Sequence, residues 1–169
     1  MDIDECRITH YPAGVLGRRA EPVEEINDNI RQLVDKMTDI MIKNKGVGLA
    51  APQAGVSLRL FIISLDGSRE NVKVYLNPTI TPIGELEGID EGCLSVPGIY
   101  TKIRRYKQCE VTATDLDGNE FTDQGKGLYA RAMQHEYDHI EGITIVNRMA
   151  QTARIVHRRQ LKRLEDAGK

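Results

Sequence analysis

The stretch that most constrains this chain is Arg131-Ala-Met-Gln-His-Glu-Tyr-Asp-His-Ile-Glu-Gly142. On an α-helix, His135 and His139 stand four apart and share one face, so two imidazoles can reach one cation while Glu136, beside them, reaches a water. This is the H-E-x-x-H arrangement. Its chemistry is metal-assisted hydrolysis, in which the ion acidifies a water and the carboxylate takes the proton and hands it to the leaving group. The same three letters also occur on ordinary solvated helix faces, so the rest of the chain must supply the context.

At 169 residues the chain is long enough for one domain with a real core, and a single domain spanning 1–169 is expected. Twenty-three basic residues against 25 acidic give no field for gripping DNA or other nucleic acid. No window approaches about 18 consecutive apolar residues and the acidic N-terminus lacks an apolar core, so neither a membrane span nor a secretory signal is expected. A soluble cytoplasmic protein follows. Cys6, Cys93 and Cys109 are odd in number and widely spaced, which argues for reduced thiols, one of them a candidate ligand.

Residues 1–25, with Pro12, Gly14, Gly17 and Pro22, read as an extended arm with turns. From Asn27, a candidate N-cap, Ile30, Leu33, Val34, Met37, Ile40 and Met41 repeat at helical spacing until Gly46 stops them. The two methionines read as core filling. Leu58 to Ile63 and Val72 to Leu76 read as strands, Thr79 to Glu87 as another interrupted at Pro82 and Gly84, and Ile99 to Ile103 as a short one. Cys109, Val111 and Ala113 alternate before a turn at Asp117-Gly118, which predicts a hairpin running through Phe121 with Cys109 in the core. The central helix opens after Gly125 and Gly127, places Leu128, Ala132, His135 and His139 on one face, and stops at Gly142. Ile143 to Val146 is a short apolar run. Arg148 to Ala167 reads as a C-terminal helix with Ile155, Leu161 and Leu164 inward and a basic remainder. The expected fold is α+β: mixed or antiparallel sheets packed around the central helix, with an amphipathic helix before it and a C-terminal helix after it.

A catalytic cation usually takes three protein ligands and keeps one position open. A histidine three residues beyond Gly142 would supply the third in one large class, but Ile145 stands there. Glu165 lies in a basic, solvent-like neighbourhood, His157 among arginines, and His10 in the arm. Cys93 is the better candidate, because it sits in a Gly-flanked turn without the periodicity of a core residue, and thiolate binds zinc or ferrous iron avidly.

Gly46-Val-Gly-Leu-Ala-Ala-Pro-Gln53, Glu91-Gly-Cys-Leu-Ser95 and Gln134-His-Glu-Tyr-Asp-His139, in that order, resemble the three signature motifs of the peptide deformylases. The likeness also runs through Tyr11-Pro12, the first helix, Asn77-Pro78 and the hairpin, over roughly residues 8–148. That family hydrolyses the N-terminal formyl group of formyl-methionyl nascent polypeptides and releases formate. The resemblance implies that Cys93, His135 and His139 bind one divalent metal ion, Fe²⁺ in the cell with Zn²⁺ or Ni²⁺ as alternatives. It implies Glu136 as general base and then acid, and the Gln53 amide and Leu94 backbone N–H as oxyanion donors. Val47, Gly48 and Gly92 would pass close to an extended substrate, Leu128 and Ala132 would help line a methionine pocket, and Arg105 would support Glu91 in a shell around the ligands. A monomer is expected, with the basic C-terminal helix resembling the tail by which bacterial members dock on ribosomes. The chain departs from the family at Gly98-Ile99-Tyr100, where some members carry arginine, and at Ile143-Thr-Ile-Val146, in place of a frequent Leu-Phe pair; both bear on the shape of the substrate channel.

Overall fold

The computed structural model describes residues 2–168. Its first regular helix, α1, spans Asp28–Lys43, and the Asn27 side chain accepts from the Ile30 N–H as its cap. Leu33, Met37 and Met41 on its inner face are fully buried, as their spacing predicts. The arm before it is extended, with turns at residues 4–5 and 11–12 and a 3-10 turn at Gly14–Gly17.

Five strands follow: β1 Gly48–Ala50, β2 Leu60–Ile63, β3 Lys73–Glu91, β4 Thr101–Thr114 and β5 Glu120–Lys126. They form one sheet in the order β1-β2-β3-β4-β5, with every neighbouring pair antiparallel. The sheet is therefore wholly antiparallel. The segments read separately as Val72–Leu76 and Thr79–Glu87 are one 19-residue strand, and the Ile99–Ile103 run joins the hairpin's first arm as one 14-residue strand. Pro82 and Gly84 do not break β3, because the pairing with β4 shifts register between Ile83 and Leu86, and Gly84 takes a φ of +82° in that bulge. Beyond the bulge, β3 and β4 run on as a two-stranded ribbon ending at Glu91 and Thr101.

The central helix α2 is Leu128–Ile140 and packs across β4, β5, β1 and β2. Its core contacts are Met133, Ala130 and Ile140 against Phe61, Tyr75, Cys109 and Val111. Full burial of each such apolar side chain contributes about 1.5–3 kcal/mol. At one rim of this layer, Asp123 Oδ2 accepts from Lys73 Nζ at 2.8 Å and from Tyr75 Oη at 2.8 Å, and Tyr129 Oη also donates to it.

After α2 come α3 Ile145–Arg148, α4 Gln151–Val156 and α5 Arg158–Ala167. The run Ile143 to Val146 thus leads into a helical turn, and the single C-terminal helix of the sequence reading is two helices parted at His157. That break reorients the face: Leu161 is buried against Val96, Ile99 and Ile103, whereas Ile155, expected inward, is 64% exposed. Gln160 Nε2 donates to the Gly98 carbonyl at 3.2 Å, and Tyr11 Oη donates to Glu165 at 3.2 Å. Helix α5 therefore buttresses the turn that carries Cys93. No helix among the described residues is long and apolar enough to cross a membrane.

Candidate metal centre

Helix α2 delivers His135, Glu136 and His139, and the turn after β3 brings Cys93 to meet them. His139 Nε2 lies 3.3 Å from Cys93 Sγ and 3.2 Å from His135 Nε2. One ligand atom from each of Cys93, His135 and His139 falls within 4.8 Å of the others. A thiolate and two imidazoles make a donor set that borderline divalent cations take.

The three donors strongly perturb one another's charge. Burial opposes ionisation of the Cys93 thiol, but His139 and His135 beside it hold its pKa well below the ordinary thiol value. Burial likewise opposes charge on His135, while the Cys93 sulfur and Glu91 raise it well above an ordinary imidazole. Among the described residues, Glu136 Oε2 and His139 Nδ1 are buried without a hydrogen-bond partner. Burial pushes Glu136 up to about 7, against the pull of His135 and His139. Buried polar atoms usually find partners, so the open Glu136 oxygen beside the converging donors fits a centre that includes a cation and solvent.

Around the ligands stands a shell of buried charge. His135 Nδ1 is 2.6 Å from Glu91 Oε1, which orients the ring and leaves Nε2 facing Cys93 and His139. Arg105 donates through Nη2 to Glu91 Oε1 at 2.6 Å and through Nε to Oε2 at 2.9 Å, so the pairing of Arg105 with Glu91 inferred from sequence is present in the geometry. Burial alone would raise Glu91, yet Arg105 and His135 hold it far below the usual carboxylate range.

Two members of this shell, Asp138 and Arg131, were not singled out in the sequence. Asp138 accepts from Arg105 Nη1 at 2.8 Å and from Arg148 Nη2 at 2.6 Å. Arg131 Nη2 reaches Glu91 Oε2 at 3.2 Å. Gln134 accepts from the Tyr106 N–H at 2.9 Å and donates to its carbonyl at 2.8 Å, tying α2 to β4. A signal was available, since 131, 135 and 138 fall at i, i+4 and i+7 on one helix face, where an arginine and an aspartate must find partners once the imidazole is buried.

The centre opens into a cavity of about 670 Å³. Val47, Gly48, Gln53 and Leu94 line it, together with Gly92, Leu128 and Ala132. Leu128 is 58% exposed at its mouth, so it forms rim and not core. Gln53 is buried; its Oε1 accepts from the Ala50 N–H at 2.8 Å, which turns Nε2 toward Cys93 Sγ at 3.5 Å. The small residues have local reasons. A Cβ on Gly48 would lie 2.6 Å from Glu136 Oε1, and one on Gly92 would lie 2.6 Å from the Tyr100 ring. His10 also borders the cavity, while neither His157 nor Glu165 does.

A helix-borne H-E-x-x-H closed by a cysteine from a facing turn, on an antiparallel α+β frame, defines the class as metal-dependent hydrolases. The polypeptide deformylase family model matches residues 5–154. A peptide deformylase from Acidobacterium capsulatum is 41% identical over 164 residues, covering 95% of this chain and 96% of that one. One from Thermodesulfovibrio yellowstonii is 39% identical over 92% of this chain and 95% of its own. Among solved structures, peptide deformylase from Legionella pneumophila superposes with a TM-score of 0.89 at 37% identity, covering 96% of each chain. That from Plasmodium falciparum gives 0.91 at 34% identity over 95% of this chain and 96% of that one. The chain belongs to the polypeptide deformylase family, metal-dependent amide hydrolases that remove the N-terminal formyl group from nascent polypeptides.

Proposed function

We propose that Cys93, His135 and His139 hold one divalent cation and that Glu136 moves the proton in deformylation. The observation that carries this reading is the approach of the three donor atoms to within 4.8 Å beside a buried carboxylate with one unpartnered oxygen. On the resemblance to the family we take Fe²⁺ as the ion in the cell, with Zn²⁺ or Ni²⁺ able to occupy the same donors. Such an ion supplies Lewis acidity for the attacking water and the formyl oxygen.

Glu136 takes a proton from the water as its oxygen adds to the formyl carbon, then gives it to the amine nitrogen as the C–N bond breaks and formate leaves. The Gln53 Nε2–H and the Leu94 backbone N–H stabilise the charge on the formyl oxygen, at about 3 kcal/mol for a well-aimed donor. Glu91, braced by Arg105, fixes the ring of His135. Val47, Gly48 and Gly92 flank the extended substrate, with Leu128 and Ala132 beside the methionine side chain. The whole chain, 1–169, acts as a single monomeric catalytic domain in the cytoplasm, where nascent formyl-methionyl chains are made.

Assay of a formyl-methionyl peptide beside its unformylated twin tests the reading. Formate release from the first alone is expected, abolished by Glu136→Ala. Cleavage of internal bonds in both peptides would assign the chain to a broader protease type.

Ribosome docking through the basic face of α4 and α5 belongs to the same proposal. Because Leu161 is core, charge reversal at Arg158 and Arg159, which leaves the packing intact, is a better test than truncation. Co-sedimentation with ribosomes should fall, and undiminished binding would dismiss the docking role.

A further inference from the structure

We propose that Arg131 is a positioning residue of the metal centre, holding the orientation of the Glu91 carboxylate that meets His135. The inference rests on the reading that Cys93, His135 and His139 hold a divalent cation.

Arg131 stands one helical turn before His135 on α2 and is buried. Its guanidinium spans both strands of the ribbon: Nη2 donates to the Ile103 carbonyl at 2.8 Å and to that of Ile89 at 3.3 Å, and Nη1 to that of Glu87 at 3.3 Å. The same Nη2 reaches Glu91 Oε2 at 3.2 Å. Arg105 holds both carboxylate oxygens from one edge, with Nη2 2.6 Å from Oε1 and Nε 3.1 Å from Oε1 and 2.9 Å from Oε2. Arg131 touches Oε2 alone. With Oε2 held by Arg131 as well as by Arg105, the carboxylate is braced from two elements, α2 and β4, and Oε1 stays on His135 Nδ1 at 2.6 Å. Glu91 also closes β3 two residues before Cys93, so one arginine on α2 sets both the imidazole on its own helix and the strand end that leads to the sulfur. An outer partner of this kind typically changes metal affinity by roughly 10- to 100-fold.

A purely structural clamp would explain the ribbon contacts without any effect on the metal. Gln134 provides the comparison, because it grips the Tyr106 backbone from the same helix and its bonds do not include Glu91. Co²⁺ affinity by chelator competition, the absorption spectrum of the Co²⁺-loaded protein and the Tm of the metal-free protein would be measured for Arg131→Met, Arg131→Lys and Gln134→Ala. Arg131→Met is expected to lose roughly 10- to 100-fold in Co²⁺ affinity and to alter the thiolate-to-cobalt band, while Gln134→Ala lowers Tm with little change in either. Arg131→Lys keeps a cation for Oε2 but cannot span the carbonyls, so affinity should largely return while Tm stays low. Should Arg131→Met not fold, the lysine variant decides alone.

Affinity that merely follows Tm across the variants, with an unchanged spectrum, overturns the inference. A failure of the unsubstituted protein to bind Co²⁺ overturns the underlying metal reading and this inference with it.

Discussion

Gly48 and Glu136 are in van der Waals contact across the gap between β1 and α2, so closely that a Cβ at 48 would sit 2.6 Å from Oε1 and 2.9 Å from Cγ of the glutamate. The glutamate occupies the space that a side chain at 48 would fill. Gly48→Ala must therefore displace the carboxylate that we assign to proton transfer. A misplacement of about 1 Å lowers turnover by roughly 100-fold. We expect kcat/KM for a formyl-methionyl peptide to fall by about that factor while bound metal stays stoichiometric. Unaltered kcat/KM would mean that the Glu136 position is not critical.

Metal removal should be visible in stability as well as in rate, because the three donors come from two separate elements, α2 and the turn after β3, which the ion would tie together. A cation present at 100 times its Kd adds about 2.7 kcal/mol to the folded state. Chelation is expected to abolish formate release and to lower Tm, with both restored by Zn²⁺, or by Fe²⁺ under anaerobic conditions. An identical Tm before and after chelation would contradict a centre that links these elements.

Arg105 faces Glu91 and Asp138 at once, at 2.6 and 2.8 Å, with only 3% of its side chain exposed. Its loss leaves two buried carboxylates short of a cation. Arg105→Ala should cost about 3–5 kcal/mol, read as a lowered urea midpoint of the metal-free protein. A loss below about 1 kcal/mol would show that Arg131 and Arg148 suffice.

Asp123 gives a pH signature outside the metal centre. Burial works against its carboxylate, but hydrogen bonds from Lys73, Tyr129 and Tyr75 hold its pKa below the ordinary value. A carboxylate depressed in the folded state contributes stability above its unfolded pKa, near 3.9, and loses it as pH falls through the folded value. Unfolding free energy should therefore drop more steeply below about pH 4 in the unsubstituted protein than in Asp123→Asn. Parallel curves would remove this cluster from the acid response.

The Cys109 thiol is fully buried, and burial, with Asp123 nearby, pushes it up to about 11. It should resist iodoacetamide at pH 8 in the native protein and react promptly in denaturant, as followed by mass spectrometry. Native labelling at Cys109 would mean that the layer between α2 and the sheet opens readily.

Much of this architecture can be read locally. Helix α1 follows from its apolar period and the Asn27 cap, and Cys109, Val111 and Ala113 alternate into the core as the hairpin pattern requires. What escaped the reading was what two distant elements decide together. Pro82 and Gly84 look like interruptions, and only pairing with β4 converts them into a bulge within one strand. Ile155 fits an inward helical stripe until the break at His157 turns it to solvent. Arg131 and Asp138 look like solvated charges until β3 and β4 close over them.

By itself, then, the order of residues determined which groups share a helix face, because the 3.6-residue period sets His135, Glu136 and His139 whatever lies around them. It also identified the thiol that stands outside any core pattern. Only the folded chain decided that the sulfur meets the imidazoles, that Gly48 makes room for Glu136, and that a network of buried arginines fixes Glu91. Those relations depend on distances between segments that chain connectivity leaves free and that burial, by requiring every charge to find a partner, makes definite.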